Sequence, residues 1–512
     1  MSDRDVLIVG AGPTGLVLAL YLNKCGIRAR IIEKNSGPGE ASRAMVVQAR
    51  TLEFYRQLGF AEDVINDGIK LEKIHLIERG KEAAVFKFGD FGEGLSPYPF
   101  ALSYPQDDHE KLLGAKLAEV GISVEWGTEL VAFVDAGDYV STTLRHGETE
   151  EKFDCAYLCG CDGAHSVVRK SLDVGFAGGT YEQVFFVADL KGTGPHAGNN
   201  DMNACLSTDA FCLLFPIRST GMNRAIGIVP AELAGRADLT FEDIRPFVEK
   251  IVDVHVEQVN WFSTYRIHHR VAANFRKGRI FLAGDAGHVH SPAGGQGMNT
   301  GIGDAVNLAW KLAAVASGRA NDVVLDSYET ERIGFAHTLV ESTDRAFQLM
   351  VNRDTSGEIF RTVIVPHVAP FLMGFHGVRK EAFRAISQTR IEYRDSALSE
   401  GAAGHVHGGD RLPWIDTIDN FAPLTSFDWQ IHVYGAARPE LRAAVDGVEM
   451  PFHEFAWTDD AHRTGLHRDA AYLVRPDGYV ALVDAGQDPK KLAGYVDKFK
   501  IQMRPQPLAP EA

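Results

Sequence analysis

What this chain can fold into is set first by residues 6–33, where strand, turn, helix and strand signals follow one another without a gap. Val6 to Val9 is an apolar run of strand length, and it leads straight into Gly10-Ala11-Gly12-Pro13-Thr14-Gly15. The pattern predicts a helix from Leu16, ended by Gly26, and a second strand over 29–32 that finishes at Glu33. G-x-G-x-x-G between a strand and a helix lets backbone approach a pyrophosphate closely, and the helix N-terminus favours its negative charge. Glu33 stands eighteen residues beyond Gly15, close to the roughly 20 expected of an acid that holds a ribose hydroxyl. An α/β fold that binds an adenine dinucleotide is the expectation.

Residues 278–301 carry a second signal of the same kind. Positions 279–283 read as an apolar strand with Asp285 at its carboxyl end, where open α/β sheets place the groups that touch ligands. The loop that follows holds Pro292, Gly294, Gly295, Gly297 and Gly301, and an apolar-periodic helix continues over 303–316. Glycines there remove the side chains that would keep a flat ligand away from backbone N–H groups.

The remaining composition narrows the function classes. A chain of 512 residues, 45% hydrophobic, can build two or three cores. A net charge of −16 argues against a phosphate-backbone partner, so nucleic acid is not expected. The first residues are polar, and no stretch reaches about 18 apolar residues. The expectation is a soluble, cytoplasmic protein with no membrane partner. Cys25, Cys155, Cys159, Cys161, Cys205 and Cys212 all lie in the first half, and disulfides are not expected without a secretory context. No second ligand pair accompanies Cys155, Cys159 and Cys161, and strand alternation accounts for them, so no metal is predicted. His288 and His290 read as packing or hydrogen-bonding residues of their loop.

Six ordered motifs, GAGPTG at 10–15, SRAMVVQARTLE at 42–53, YPQ at 104–106, CDGAHSVVR at 161–169, GDAGHVHSP at 284–292 and GQGMN at 295–299, give the chain a family likeness. It resembles the FAD-dependent aromatic hydroxylases, the single-component flavoprotein monooxygenases that include para-hydroxybenzoate, phenol and polyketide hydroxylases. The resemblance implies an α/β architecture in three parts: a Rossmann-like FAD-binding domain (1–173 and 266–393, the latter with a helical extension), an inserted β-sheet substrate domain (174–265), and a C-terminal thioredoxin-like domain without CxxC (394–512). Short β runs at 184–190, 211–217 and 224–229, a helix near 241–252, strands at 428–434 and 471–484 and a turn at Arg475-Pro476-Asp477-Gly478 agree with it. The tail has no cysteine, so packing or homodimer contact is its expected role.

The resemblance also implies site roles. Gly10, Gly12, Pro13, Thr14 and Gly15 would meet the FAD pyrophosphate, and Glu33 with Lys34 the adenosine ribose. Arg43 would pair with a phosphate or line the nicotinamide path, with a surface salt bridge as its alternative. Gln106 would hydrogen-bond the flavin side chain, and Leu130 would offer backbone to adenine or simply fill core. Asp162 would serve FAD and the nicotinamide cofactor, or else cap a turn. Asp285 would bind the ribityl hydroxyls, and backbone of Gly297, Met298 and Asn299 the pyrimidine edge. NADH or NADPH would visit as electron donor, since no second G-x-G-x-x-G follows a strand. The implied reaction is O₂-dependent hydroxylation of an activated phenolic ring through a flavin C4a-hydroperoxide, with Pro292 lining the reacting face. The phenol hydroxylases' aspartate before Arg-Thr-Leu-Glu aligns with Met45, so the substrate base is not carried over. Tyr265, Arg266 and His268, on a strand predicted over 261–269, are the candidates in its place. An FAD-dependent oxidoreductase without oxygen insertion, and a non-catalytic flavin-binding interaction protein, are the alternatives.

Overall fold

The computed structural model describes residues 5–39, 44–78, 80–87, 89–208, 210–236, 238–291, 293–352 and 354–504. Val6–Val9 is a strand with all four side chains buried. It pairs in parallel with Ala29–Glu33 on one side and Tyr157–Gly160 on the other, as a uniformly apolar strand does when both sheet faces are covered. The six-stranded sheet runs Arg276–Lys277, Ile280–Leu282, Tyr157–Gly160, Val6–Val9, Ala29–Glu33, Glu125–Trp126. Helix α1 is Pro13–Lys24. It begins before Leu16 because proline is preset for the first helical turn, where an N–H would have no partner. Helix α2 is Ala49–Leu58, closed by Gly59 at φ 87°.

A second, eight-stranded sheet runs His288–Val289, His255–Ala272, Phe176–Thr193, Asn223–Ile228, Phe211–Pro216, Met202–Leu206, Lys73–Glu78, Lys81–Lys87. Its two long strands, of 18 residues each, pair antiparallel. The run expected over 184–190 is therefore the middle of a longer strand, and position 265 falls inside another. Helix α3, Phe241–Val252, covers one face and starts from a Thr240/Asp243 capping box. Its Ile244, Val248 and Val252 recur every four residues and pack with Phe186, Ala188, Leu190 and Leu214. The opposite face presents Phe185, Phe211, Ile228, Ile267 and Tyr265, and beyond them Phe215 with Val46 and Met45.

Helix α4, Gly297–Ala316, is buried along most of its length, and helix α5, Asp322–Val351, follows it. The last sheet runs Phe452–Phe455, Gln430–Tyr434, Ala471–Val474, Val480–Asp484. Buried charges join this region to α4 and α5. The Glu331 carboxylate accepts from Lys311 at 2.7 Å, from both Arg475 nitrogens at 2.8 and 3.0 Å and from Ser396 at 2.7 Å. Arg475 also pairs with Asp477, which accepts from Trp310 at 3.0 Å. Burial alone would raise the Glu331 pKa, but the Arg475 and Lys311 cations hold it far below the usual carboxylate range. Among the described residues no single helix is long and apolar enough to cross a membrane, though the pair Thr355–Leu372 and His376–Ile386, bent by 115°, matches such a span in length and composition.

Candidate cofactor and substrate site

Each glycine of the first turn does a different job. Gly10 has φ 107°, and a methyl on it would collide with the Cys161 carbonyl. One on Gly15 would collide with the Gly10 carbonyl, so the helix lies directly on the strand. One on Gly12 would meet nothing within 4 Å. Two positions are glycine because the chain packs there, and the third borders space that a pyrophosphate can enter, which is the division of labour a dinucleotide turn needs. Thr14 then ties this turn to the other glycine-rich segment: a methyl on Gly284 would stand 2.6 Å from its Oγ1, and one on Gly301 would also collide with it. The N-terminal turns of α1 and α4 thus meet at Gly284, and both carry partial positive charge.

Gly284, with φ 62°, opens a short 3-10 turn Gly284–Ala286 after the strand Ile280–Leu282. Its N–H donates to buried Asp304 on α4 at 2.9 Å. The same carboxylate accepts from Arg332 at 2.6 Å and meets His288 Nε2 at 2.7 Å. Burial would raise the Asp304 pKa, but Arg332 and His288 hold it below the usual range. Asp285, the next residue, is exposed, so the turn turns its aspartate outward. Beyond it, a methyl on Gly295 would be 3.0 Å from the Val46 side chain, and Val46 packs with Phe215. That contact sets the α4 N-terminus against the apolar face of the large sheet.

The other expected residues are placed as follows. Glu33 accepts from Ala11 N–H at 3.1 Å and from Asn35, so it steadies the glycine turn; neighbouring Lys34 is exposed. Gln106 donates to Glu110 at 2.7 Å. Leu130 is buried in the main core and pairs with Leu144 beside a bulge. Asp162 Oδ2 accepts from Val167 and Val168 N–H groups at 2.7 and 3.2 Å, capping Val167–Ser171, while its buried Oδ1 has no partner among the described residues. Gly297 and Met298 open α4. The Asn299 side chain is fully engaged within the protein: it accepts from Gln48 N–H and Thr51 Oγ1 and donates to the Val46 and Gly295 carbonyls. Its backbone alone is left for a ligand. Arg43 and Pro292 lie outside the described residues.

Tyr265, Arg266 and His268 are divided by strand alternation. Tyr265 opposes Phe185 and belongs to the apolar face that continues toward Val46. Arg266 opposes Val184, which packs on the α3 side; it is exposed and donates to the Glu182 carbonyl at 2.9 Å. His268, two residues on, shares the Arg266 side and meets Thr180 Oγ1 at 2.7 Å. Alternation puts Tyr265 on the apolar face that packs with Phe347 and Val351 of α5 and leaves Arg266 and His268 on the other. Asp304, Arg332, Gln48 and Thr51 organise these turns and were not anticipated; a charged residue inside the apolar run of α4 was the one available signal for Asp304.

A model of the FAD binding domain family matches residues 3–343. The chain is 33% identical to 6-methylpretetramide 4-monooxygenase of Streptomyces rimosus, covering 93% of this chain and 90% of that protein. It is 32% identical to dialkyldecalin synthase of Streptomyces rugosporus, covering 94% and 96%. The solved structure of the anhydrotetracycline hydroxylase OxyS from Streptomyces rimosus superposes with a TM-score of 0.79 at 28% identity, covering 98% of this chain and 100% of that one. A family model spanning both glycine turns and a relative one third identical along nearly the whole length lead to one conclusion: the protein belongs to the FAD-binding family of flavoprotein aromatic hydroxylases.

Proposed function

We propose that this protein is an FAD-dependent, NAD(P)H-consuming monooxygenase that hydroxylates a phenolic ring of a polycyclic aromatic compound. The observation that carries the reading is the meeting of the two glycine turns at Thr14, Gly284 and Gly301, with Gly295 beside them against the apolar cluster of Val46, Met45 and Phe215. Bound FAD would supply electron transfer from NAD(P)H and activation of O₂. The chain's residues supply place and environment. The Gly12 region and the α1 N-terminus would hold the pyrophosphate, and Asp285 the ribityl hydroxyls. N–H groups at Gly297 and Met298 would face the pyrimidine edge, and Asp304 keeps the Gly284 turn in register for all of them. The apolar face would take the substrate ring and exclude water. The polyketide relatives support a polycyclic substrate over a simple phenol, as does Met45 where phenol hydroxylases carry an aspartate.

Within this reading, 174–265 with its flanking strands is the substrate domain, and the segment from 394 is a thioredoxin-like tail fixed to the rest by Arg475 and Glu331. A soluble, cytoplasmic enzyme is expected. The test is NAD(P)H oxidation by the purified protein over a phenolic panel, followed by mass spectrometry under ¹⁸O₂. One labelled oxygen per product molecule supports the reading. NAD(P)H oxidation that releases only peroxide across the panel counts against it.

A second reading, retention of FAD without oxygen insertion, has one observation in its favour, the likeness to a protein named as a synthase. Turnover of a substrate with no NAD(P)H and no O₂ would support that reading over the first.

A further inference from the structure

On the edge strand His288–Val289 and the two residues after it, three polar atoms are buried without a hydrogen-bond partner among the described residues: Nδ1 of His288, Nε2 of His290 and Oγ of Ser291. A buried polar atom left unpaired is costly, so three within four residues, unpartnered among the described residues, mark a place where a bound molecule can supply the partners. His290 is the one whose geometry says what kind of partner it takes. Its Nδ1 lies 2.8 Å from the Ser291 carbonyl oxygen, and a carbonyl only accepts, so Nδ1 carries the proton. Burial, reinforced by His288, pushes its pKa down to about 4, so the ring is neutral at neutral pH and Nε2 keeps a lone pair. That nitrogen lies 3.7 Å from where a methyl on Gly297 would stand, at the N-terminal end of α4. The ring is held nearly parallel to that of His288, at 17° with centroids 6.4 Å apart, and His288 is anchored by Asp304 on the same helix.

Resting on the flavoenzyme reading, we infer that Nε2 of His290 accepts a hydrogen bond from an N–H or O–H carried by a bound aromatic ring, delivered by the flavin or by the phenolic substrate. His290 is then a binding residue of the site, set by the His288–Asp304 pair, and the loop recognises a ring that offers a donor at its edge.

Three substitutions separate this role from a structural one. His290→Asn keeps a donor for the Ser291 carbonyl and deletes the acceptor at the Nε2 position. His290→Gln places an amide oxygen near that position. His290→Leu removes both. FAD affinity is read from flavin fluorescence, and phenol affinity from the change in flavin absorption on adding anhydrotetracycline, or the phenol that most perturbs the wild-type spectrum. The Asn and Leu variants are expected to bind one ligand about five- to tenfold more weakly, with Gln recovering most of the loss. Weakened FAD binding assigns the donor to the flavin; weakening confined to the phenol assigns it to the substrate. Wild-type affinities and an unshifted flavin spectrum in both Asn and Leu overturn the inference. If Leu fails to fold, by thermal unfolding of the apoprotein, the Asn and Gln pair decides alone. A wild-type protein that binds no FAD overturns the functional reading and this inference together.

Discussion

The two best-defined joints in this molecule are built on opposite principles. At Thr14, Gly284 and Gly301, two helices and a strand meet because side chains have been removed, and the contacts are backbone against backbone or against one small hydroxyl. Where the final sheet meets α4 and α5, Lys311, Glu331, Arg475 and Asp477 are all essentially inaccessible and are held by charge. The glycine joint leaves room for a ligand, and the charged joint leaves none. One is shaped to bind; the other fixes a region in one register, since partners this buried tolerate no slip.

The contrast is tested most severely at the charged joint. Arg475→Ala strands Glu331 and Asp477 without their guanidinium and is expected to cost about 3–5 kcal/mol, read as a lowered urea midpoint and the loss of a single unfolding transition. A replacement of Arg475, Glu331, Lys311 and Asp477 together by apolar residues of similar size is expected to recover much of that loss. At the glycine joint the expected effects split. Gly10→Ala introduces a clash and an unfavourable φ, and is expected to lower stability by about 1–3 kcal/mol. Gly12→Ala is expected to leave the unfolding free energy of the apoprotein within about 0.5 kcal/mol of wild type and still to lower FAD retention at least tenfold. Equal loss of stability in both would sink the division of labour assigned to these glycines.

Acid sharpens the comparison with a third kind of buried group. His109 is fully buried, meets the Tyr55 hydroxyl at 2.7 Å, and burial lowers its pKa from 6.5 to about 3. The folded state holds it neutral while the unfolded chain protonates it. Its contribution is therefore intact above pH 6.5, and is lost progressively as pH falls from 6.5 toward 3. By pH 4.5 the loss is expected to reach about 2–3 kcal/mol, and His109→Gln should flatten the fall in melting temperature over that range. The smallest effect is expected at exposed Lys34, where Lys34→Ala should change stability by less than about 0.5 kcal/mol and FAD affinity by less than about threefold.

What could be read in the sequence follows the same division. The glycine turns are local: each rests on a handful of consecutive residues, so the close packing at Gly10 and Gly15 and the 284–301 turn could be expected before any fold was known. Asn299 pairs with Gln48 across 251 positions and Arg475 with Glu331 across 144, and neither separation leaves a periodic trace. Asp304 and Arg332 pair across only 28 positions, but between two separate helices whose packing leaves no periodic trace either. The long strand Phe176–Thr193 was read only over 184–190; a methyl on Gly178 would collide with the His269 carbonyl, so the glycine there marks the close approach of two paired strands. Tyr265, Arg266 and His268 were candidates because one alternating face of their strand would look into a pocket, and the alternation divides Tyr265 from the other two.

The order of the six-stranded sheet has a consequence for synthesis. Val6–Val9 acquires its neighbour Tyr157–Gly160 only after some 150 further residues, and that strand acquires Ile280–Leu282 more than a hundred residues later. A ribosome adds roughly 5–20 residues per second, so the first strand is made roughly 15 to 55 seconds before the sheet can close. Until then its apolar faces, and the edge that Ala29–Glu33 does not cover, must be shielded by chaperones or by non-native collapse. Yield in a heterologous host should therefore depend on translation speed and chaperone supply more steeply than the stability of the finished protein suggests.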